Sequence, residues 1–279
     1  MLTHLRASRY LITELLKSGL PTDRHVAPDL NSQSFGFSIE IYMYLAFSNT
    51  VTSFKAQELK HVELPLPGLT MKEMELFPTF GVLFAGGHEL FQLTPEICQL
   101  ASRRLAEEQE SKTYRKPSLP LRKTYEDLYQ RIVCWEMPPR LQGETITEWR
   151  HKRNAAEILR QALSIFLATA LQGSLVSDAN VLCAIEQHIM ILFGCMENIV
   201  DKVYSATLLW PLLIGGSCLT EPEQQRQYAN EAREEWCDMW HVKKFIDALQ
   251  LLWDDPDPRA YGPYGLNLIL RKHGLDLCI

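Results

Sequence analysis

The chain lacks a basic excess. It carries 28 lysines and arginines against 34 aspartates and glutamates, a net charge of -6 at pH 7. Phosphate contacts supply most of the affinity for nucleic acid, so a free-standing DNA reader carries the opposite sign. Direct DNA binding by this chain alone is therefore not expected. Mild acidity instead favours copies that stay apart. The chain also lacks closely spaced cysteines. Its seven, Cys98, Cys134, Cys183, Cys195, Cys218, Cys237 and Cys278, are odd in number and scattered. None sits close enough to another for a zinc knuckle or a thioredoxin-like motif. Several fall in apolar helical patterns, where a free thiol acts as a small hydrophobe. That usage points to a reducing compartment, not to a disulfide scaffold.

Other absences narrow the chemistry. There is no glycine-rich phosphate loop, no dinucleotide fingerprint and no nucleophile elbow. Gly86-Gly87-His88 reads as a turn before a helix. No catalytic residue, cofactor or metal ligand is nominated, and the chain is not expected to be an enzyme. Arg6 and Arg9 interrupt the place where a signal peptide would put its apolar core. The uncharged run Val203–Thr220 meets the length of a membrane span. It also holds Ser205, Thr207, Pro211, Gly215, Gly216 and Ser217. That composition predicts a buried, bent helix and no membrane partner.

Two-residue alternation with hairpin turns is missing as well, and so is a repeat of fixed period. What is present is helical periodicity. Thr3–Ser18 carries an apolar stripe that Gly19 and Pro21 stop. Phe35–Val51 reads as a buried helix. Glu63–Pro78, with Pro65, Pro67 and Gly68, reads as a loop. Glu89–Leu105 is helical, or a separate helix starts at Thr94-Pro95-Glu96, with Thr as N-cap and Pro at the first position. Tyr125–Met137, Glu148–Gln172, Val181–Val203, Glu223–Trp253 and Tyr261–His273 complete the series. The prediction is an all-α fold of antiparallel helix pairs without significant sheet. It spans residues 1–279 as a single helical domain, with an exposed polar connection at about 106–123. The basic half of that connection offers contact to an acidic partner, although a solvated loop explains the same charges.

Three clusters invite a chemical reading. Asp254, Asp255 and Asp257 resemble the aspartate run that binds magnesium in diphosphate chemistry. They also follow a helix and alternate with prolines, which suits a solvent-exposed helix stop. Cys237 and His241, four apart, share a helix face and make half a metal site at most. Trp210, Trp236 and Trp240 either line a small-molecule pocket or fill the core. His188, near the apolar face of its helix, reads as a hydrogen-bonded structural histidine.

Leu208 to Ser217 is the most distinctive stretch. Leu209-Trp210-Pro211-Leu212-Leu213-Ile214-Gly215-Gly216, followed by Glu221 to Arg226, resembles the signature of the fungal-specific transcription factor domain. That domain is the helical regulatory region of fungal binuclear zinc-cluster regulators. Further segments resemble the family in order: His4 to Ser8 with Phe35–Phe47, Phe80-Gly81 to Leu105, Leu128 to Pro138, Ala155 to Leu171, and Trp236 to Trp253. The resemblance implies a nuclear regulatory domain that works through the transcription machinery, self-association or a small-molecule inducer; otherwise the protein is cytoplasmic. One departure counts. The six-cysteine DNA-binding module does not occur in this sequence, so direct DNA reading is not carried over. Such a chain is a regulatory domain separate from its DNA reader, a remnant of a longer regulator, or a secondary-metabolism accessory protein or enzyme reusing the scaffold, with Asp254, Asp255 and Asp257 as its diphosphate site.

Overall fold

The computed structural model describes residues 7–8, 10–14, 30–51, 83–111, 116–140, 142–199, 205–235 and 240–275. Ten helices lie within them: α1 (Leu30–Val51), α2 (His88–Phe91), α3 (Thr94–Ser111), α4 (Leu119–Val133), α5 (Ile146–Gln172), α6 (Ala179–Met196), α7 (Ser205–Ser217), α8 (Pro222–Glu235), α9 (Trp240–Trp253) and α10 (Gly262–Lys272). Among the described residues there is no strand. The fold is all-α, as the periodicity predicts. The predicted loop Glu63–Pro78 lies outside the described residues.

α5 is the rod on which the rest is stacked. Its 27 residues span about 40 Å. α2, α3, α4, α6, α7 and α10 all pack against it. The sequence explains this role. Ala155, Ile158, Leu159, Ala162, Leu163 and Phe166 are buried along it, and a helix apolar on more than one side must be covered on more than one side. Its start is fixed by a capping box. Thr145 Oγ1 accepts from the Glu148 N–H at 3.1 Å, and Glu148 Oε2 accepts from the Thr145 N–H at 2.8 Å. Two orphan donors are satisfied at once.

The far end of α5 is fixed by α3. The buried Arg104 donates from Nε to the Leu171 carbonyl at 3.1 Å and pairs with Glu108 at 3.2 Å. Glu108 also accepts from the Ser174 N–H at 3.1 Å. Between them sits Gly173 with φ of 88°, and a Cβ there would collide with the Glu108 carboxylate. Only glycine meets both demands at low cost.

α5 and α6 form an antiparallel pair. His188 of α6 meets Gln161 of α5, whereas Cys195, later in α6, lies in the field of Glu157, earlier in α5. The α6 stripe is correct at Ile185, Ile189 and Leu192, all buried. The helix closes at Met196 rather than Val203. Asn198 Nδ2 donates to the Gly194 carbonyl at 2.7 Å there, satisfying one of the acceptors a helix end leaves open.

Two predicted boundaries are corrected. The span from Glu89 is two helices, broken at Gln92-Leu93, so the start at Thr94 holds. Thr94 makes no cap, however; its buried Oγ1 has no hydrogen-bond partner. The polar stretch 106–123 is not one connection. Ala106–Ser111 continues α3 and Leu119–Lys123 opens α4. Ala, Leu, Glu and Gln are strong helix formers, and charges on an exposed face do not require a loop. Pro120 falls in the first turn of α4, where its missing N–H costs nothing. The expected buried helix at Leu208–Ser217 is present: α7 runs from Ser205 to Ser217 with Pro211 inside it. An interior proline costs roughly 3 kcal/mol. Burial of every residue from Leu208 to Leu219 offsets that loss.

Candidate functional site around Trp210

α7 is held by what surrounds it. It packs on α5, α9 and α10. Trp210, Leu212, Leu213 and Ile214 are fully buried. The end of the helix is gripped by two side chains: Tyr228 Oη donates to the Leu212 carbonyl at 3.0 Å, and Trp253 Nε1 donates to the Gly216 carbonyl at 3.0 Å. Gly216 is where its neighbours come closest. A Cβ there would stand 2.9 Å from Leu249 Cδ1 and 3.0 Å from Tyr228 Cε1.

Trp210 sits inside an aromatic cage. Its ring meets Phe91 edge-on at 5.6 Å and Phe166 edge-on at 6.3 Å, both at 77°. Phe91 in turn stacks on Tyr44 at 5.5 Å and 10°. These are the offset and T-shaped arrangements that aromatic quadrupoles favour. The Trp210 Nε1–H is buried without a hydrogen-bond partner. A void lined by Tyr44, Phe84, Phe91, Ala155, Leu208 and Pro211 adjoins the cage. It offers about 10 Å³ to a water, the room of one molecule. A second void of about 10 Å³ is lined by Phe166, Thr169, Gly173 and Tyr264. Trp236 lies outside the described residues, and Trp240 opens α9 with its side chain outside the description. Cys237 also falls outside it, as does the His241 side chain.

The aspartates of the α9–α10 loop do not converge. Asp254 accepts from Gln250 Nε2 at 3.0 Å. Asp255 pairs with Lys272 at 2.5 Å, and Asp257 with Arg259 at 2.7 Å. Hydrogen bonds from those cations hold both carboxyls below the usual range, Asp257 at about 2. Each carboxylate therefore has a separate partner, and two of them tether the loop. Among the described residues no group of three His, Cys, Asp or Glu side chains is placed to hold a metal.

At the α5–α6 seam His188 joins a polar cluster whose other members the sequence did not disclose. His188 Nδ1 lies 2.6 Å from Gln161 Oε1, Gln161 Nε2 donates to Glu157 at 2.5 Å, and Arg160 donates to Glu157 at 2.8 Å. Burial pushes the His188 pKa down, against the pull of Glu157. The imidazole was legible as structural, but its partners, 27 residues away, were not. Cys218, buried just past the end of α7, has its thiol pushed up to about 12, chiefly by burial, so it is no thiolate nucleophile.

The fold and this centre define an all-helical scaffold whose most distinctive segment is buried and packed on three other helices. The chain belongs to the family described as the fungal specific transcription factor domain, whose model matches residues 1–262. No curated protein and no solved structure matches it.

Proposed function

We propose that the chain is a regulatory domain that controls transcription in the nucleus through protein contacts or a small-molecule inducer, without touching DNA itself. The observation that carries this reading is the family match over residues 1–262. The excess of acidic over basic residues supports the second half, because phosphate contacts need cations. The filled surroundings of Trp210 favour protein contact over an inducer at that place. About 10 Å³ of free space is far below the roughly 300–1,000 Å³ of ligand pockets. An inducer seated against Trp210, Trp236 and Trp240 would have to open the cage between Phe91 and Phe166.

The test is a reporter assay. The chain is fused to an unrelated DNA-binding domain and expressed with a reporter carrying that domain's site. Reporter output should change relative to the DNA-binding domain alone, and the tagged chain should accumulate in the nucleus. A gel shift at physiological salt with the chain by itself should show no retarded species. Unchanged reporter output would sink the regulatory reading, and sequence-specific retardation would sink the indirect one.

A further inference from the structure

α6 is apolar on the wrong side. Its inner stripe, Ile185, Ile189 and Leu192, is buried against the molecule. Its outer stripe is Cys183, Ala184, Gln187, Met190, Ile191 and Gly194, all exposed. Met190 is 73% and Ile191 46% accessible, and nothing lies within 4 Å of a Cβ built at Gly194. The helix is long and apolar enough to cross a membrane by length and composition, yet only 17% of it is buried. Helices hydrophobic all round are normally enclosed. The only ionised side chain from Ala179 to Met196 is Glu186, which a helical wheel puts at the rim of the outer stripe.

We infer that this face is a homodimer interface, with α6 packing antiparallel on α6 of a second copy about a dyad at Gln187. The order of side chains supports this occupant. The first half of the stripe is small, Cys183 and Ala184. The second half is bulky, Met190 and Ile191. Reversing one copy brings bulky onto small at both ends: Cys183 against the partner's Met190, and Ala184 against the partner's Ile191. A two-fold interface must be self-complementary in this way. The two Gln187 amides meet at the dyad, where each can donate to and accept from the other. An apolar centre with a charge at its rim is the usual anatomy of an interface.

Lipid is the competing occupant, and the sequence of α6 argues against it. Helices that lie on membranes carry lysine and arginine on the flanks of the apolar face; α6 has neither. The helix is about 27 Å long and about 10 Å wide, a footprint of roughly 300 Å² per copy against about 800 Å² for a standard interface. The dimer therefore belongs to the small, transient class of interfaces. The net charge of -6 opposes it at low salt, and screening removes that opposition. This inference stands apart from the regulatory reading: a monomeric chain would leave that reading intact.

Sedimentation velocity of the whole chain, from about 1 to about 300 μM, should show a monomer giving way to a dimer, more readily at higher salt. The double variant Met190→Glu, Ile191→Glu should weaken dimerisation at least tenfold, roughly the loss of one anchor residue. Its circular dichroism and melting should not change, because both side chains are exposed. Gln187→Cys in a Cys183→Ser background should yield a dithiothreitol-sensitive covalent dimer under mild oxidation. A monomer at every concentration overturns the proposal. So does a dimer indifferent to the glutamates, one that salt dissociates, or one without the Gln187→Cys cross-link. Co-sedimentation with phosphatidylcholine vesicles that the glutamates abolish would assign the face to lipid and overturn it equally.

Discussion

Gly216 bears the consequence of a single hydrogen atom. Its missing Cβ lets Leu249 and Tyr228 reach α7, and the carbonyl of the same residue accepts from Trp253. Gly216→Ala should therefore cost about 1–3 kcal/mol by overpacking, read as a lower urea midpoint at unchanged slope. Gly215→Ala is the control. Its Cβ would find Leu192 Cδ1 at 3.4 Å, an ordinary contact, and the helix propensity of alanine should leave stability equal or higher. His188 gives a second prediction at this scale. Burial lowers its folded pKa below the ordinary 6.5. The unfolded chain thus binds the proton more readily, and stability rises with pH through that interval. The contribution is complete above about pH 6.5 and is lost as pH falls toward the folded pKa. Urea midpoints measured from about pH 7.5 to about pH 5 should decline, and His188→Gln should flatten that decline. An unchanged slope in the variant would show that other groups titrate there.

Helix starts and stops separate what the sequence disclosed from what it hid. The stripes of α5 and α6 were legible because buried positions recur with the helical period. The start of α5 was placed too late, at Glu148, because the signal before it is chemical and not apolar: Thr145 and Glu148 cap one another. Thr145→Ala should cost about 1 kcal/mol, and fraying should show as faster amide exchange at Glu148 and Trp149 alone. The buried helix around Pro211 was legible from its apolar composition, but the packing of Trp210 between Phe91 and Phe166, which offsets the proline, was not. The outer face of α6 was hidden too. Periodicity identifies the stripe that is buried, but it does not say that an equally apolar opposite face stays bare. At the centre, the distinctiveness of Trp210 could be read from the chain; its company, drawn from residues 44 to 166, could not.

At the scale of the molecule, one apolar cluster runs through the described helices, from Ile12 and Ile39 to Leu266, Ile269 and Leu270. α5 and α7 are its shared members: α7 touches α5, α9 and α10, and α5 touches most of the rest. A continuous cluster of that kind is expected to melt as one unit. Unfolding in urea should then be one cooperative transition, with intrinsic tryptophan fluorescence and far-ultraviolet circular dichroism coinciding. Trp210→Ala probes the point directly. Truncating a fully buried tryptophan should cost roughly 3–5 kcal/mol. Trp210→Phe should cost less than half of that, since it keeps a ring between Phe91 and Phe166 and deletes an N–H with no partner. In both variants the two probes should move together by the same amount. If fluorescence shifted while circular dichroism stayed at the wild-type midpoint, the chain would consist of two independently folding units, and the packing of α5 against α7 would be an interface between them.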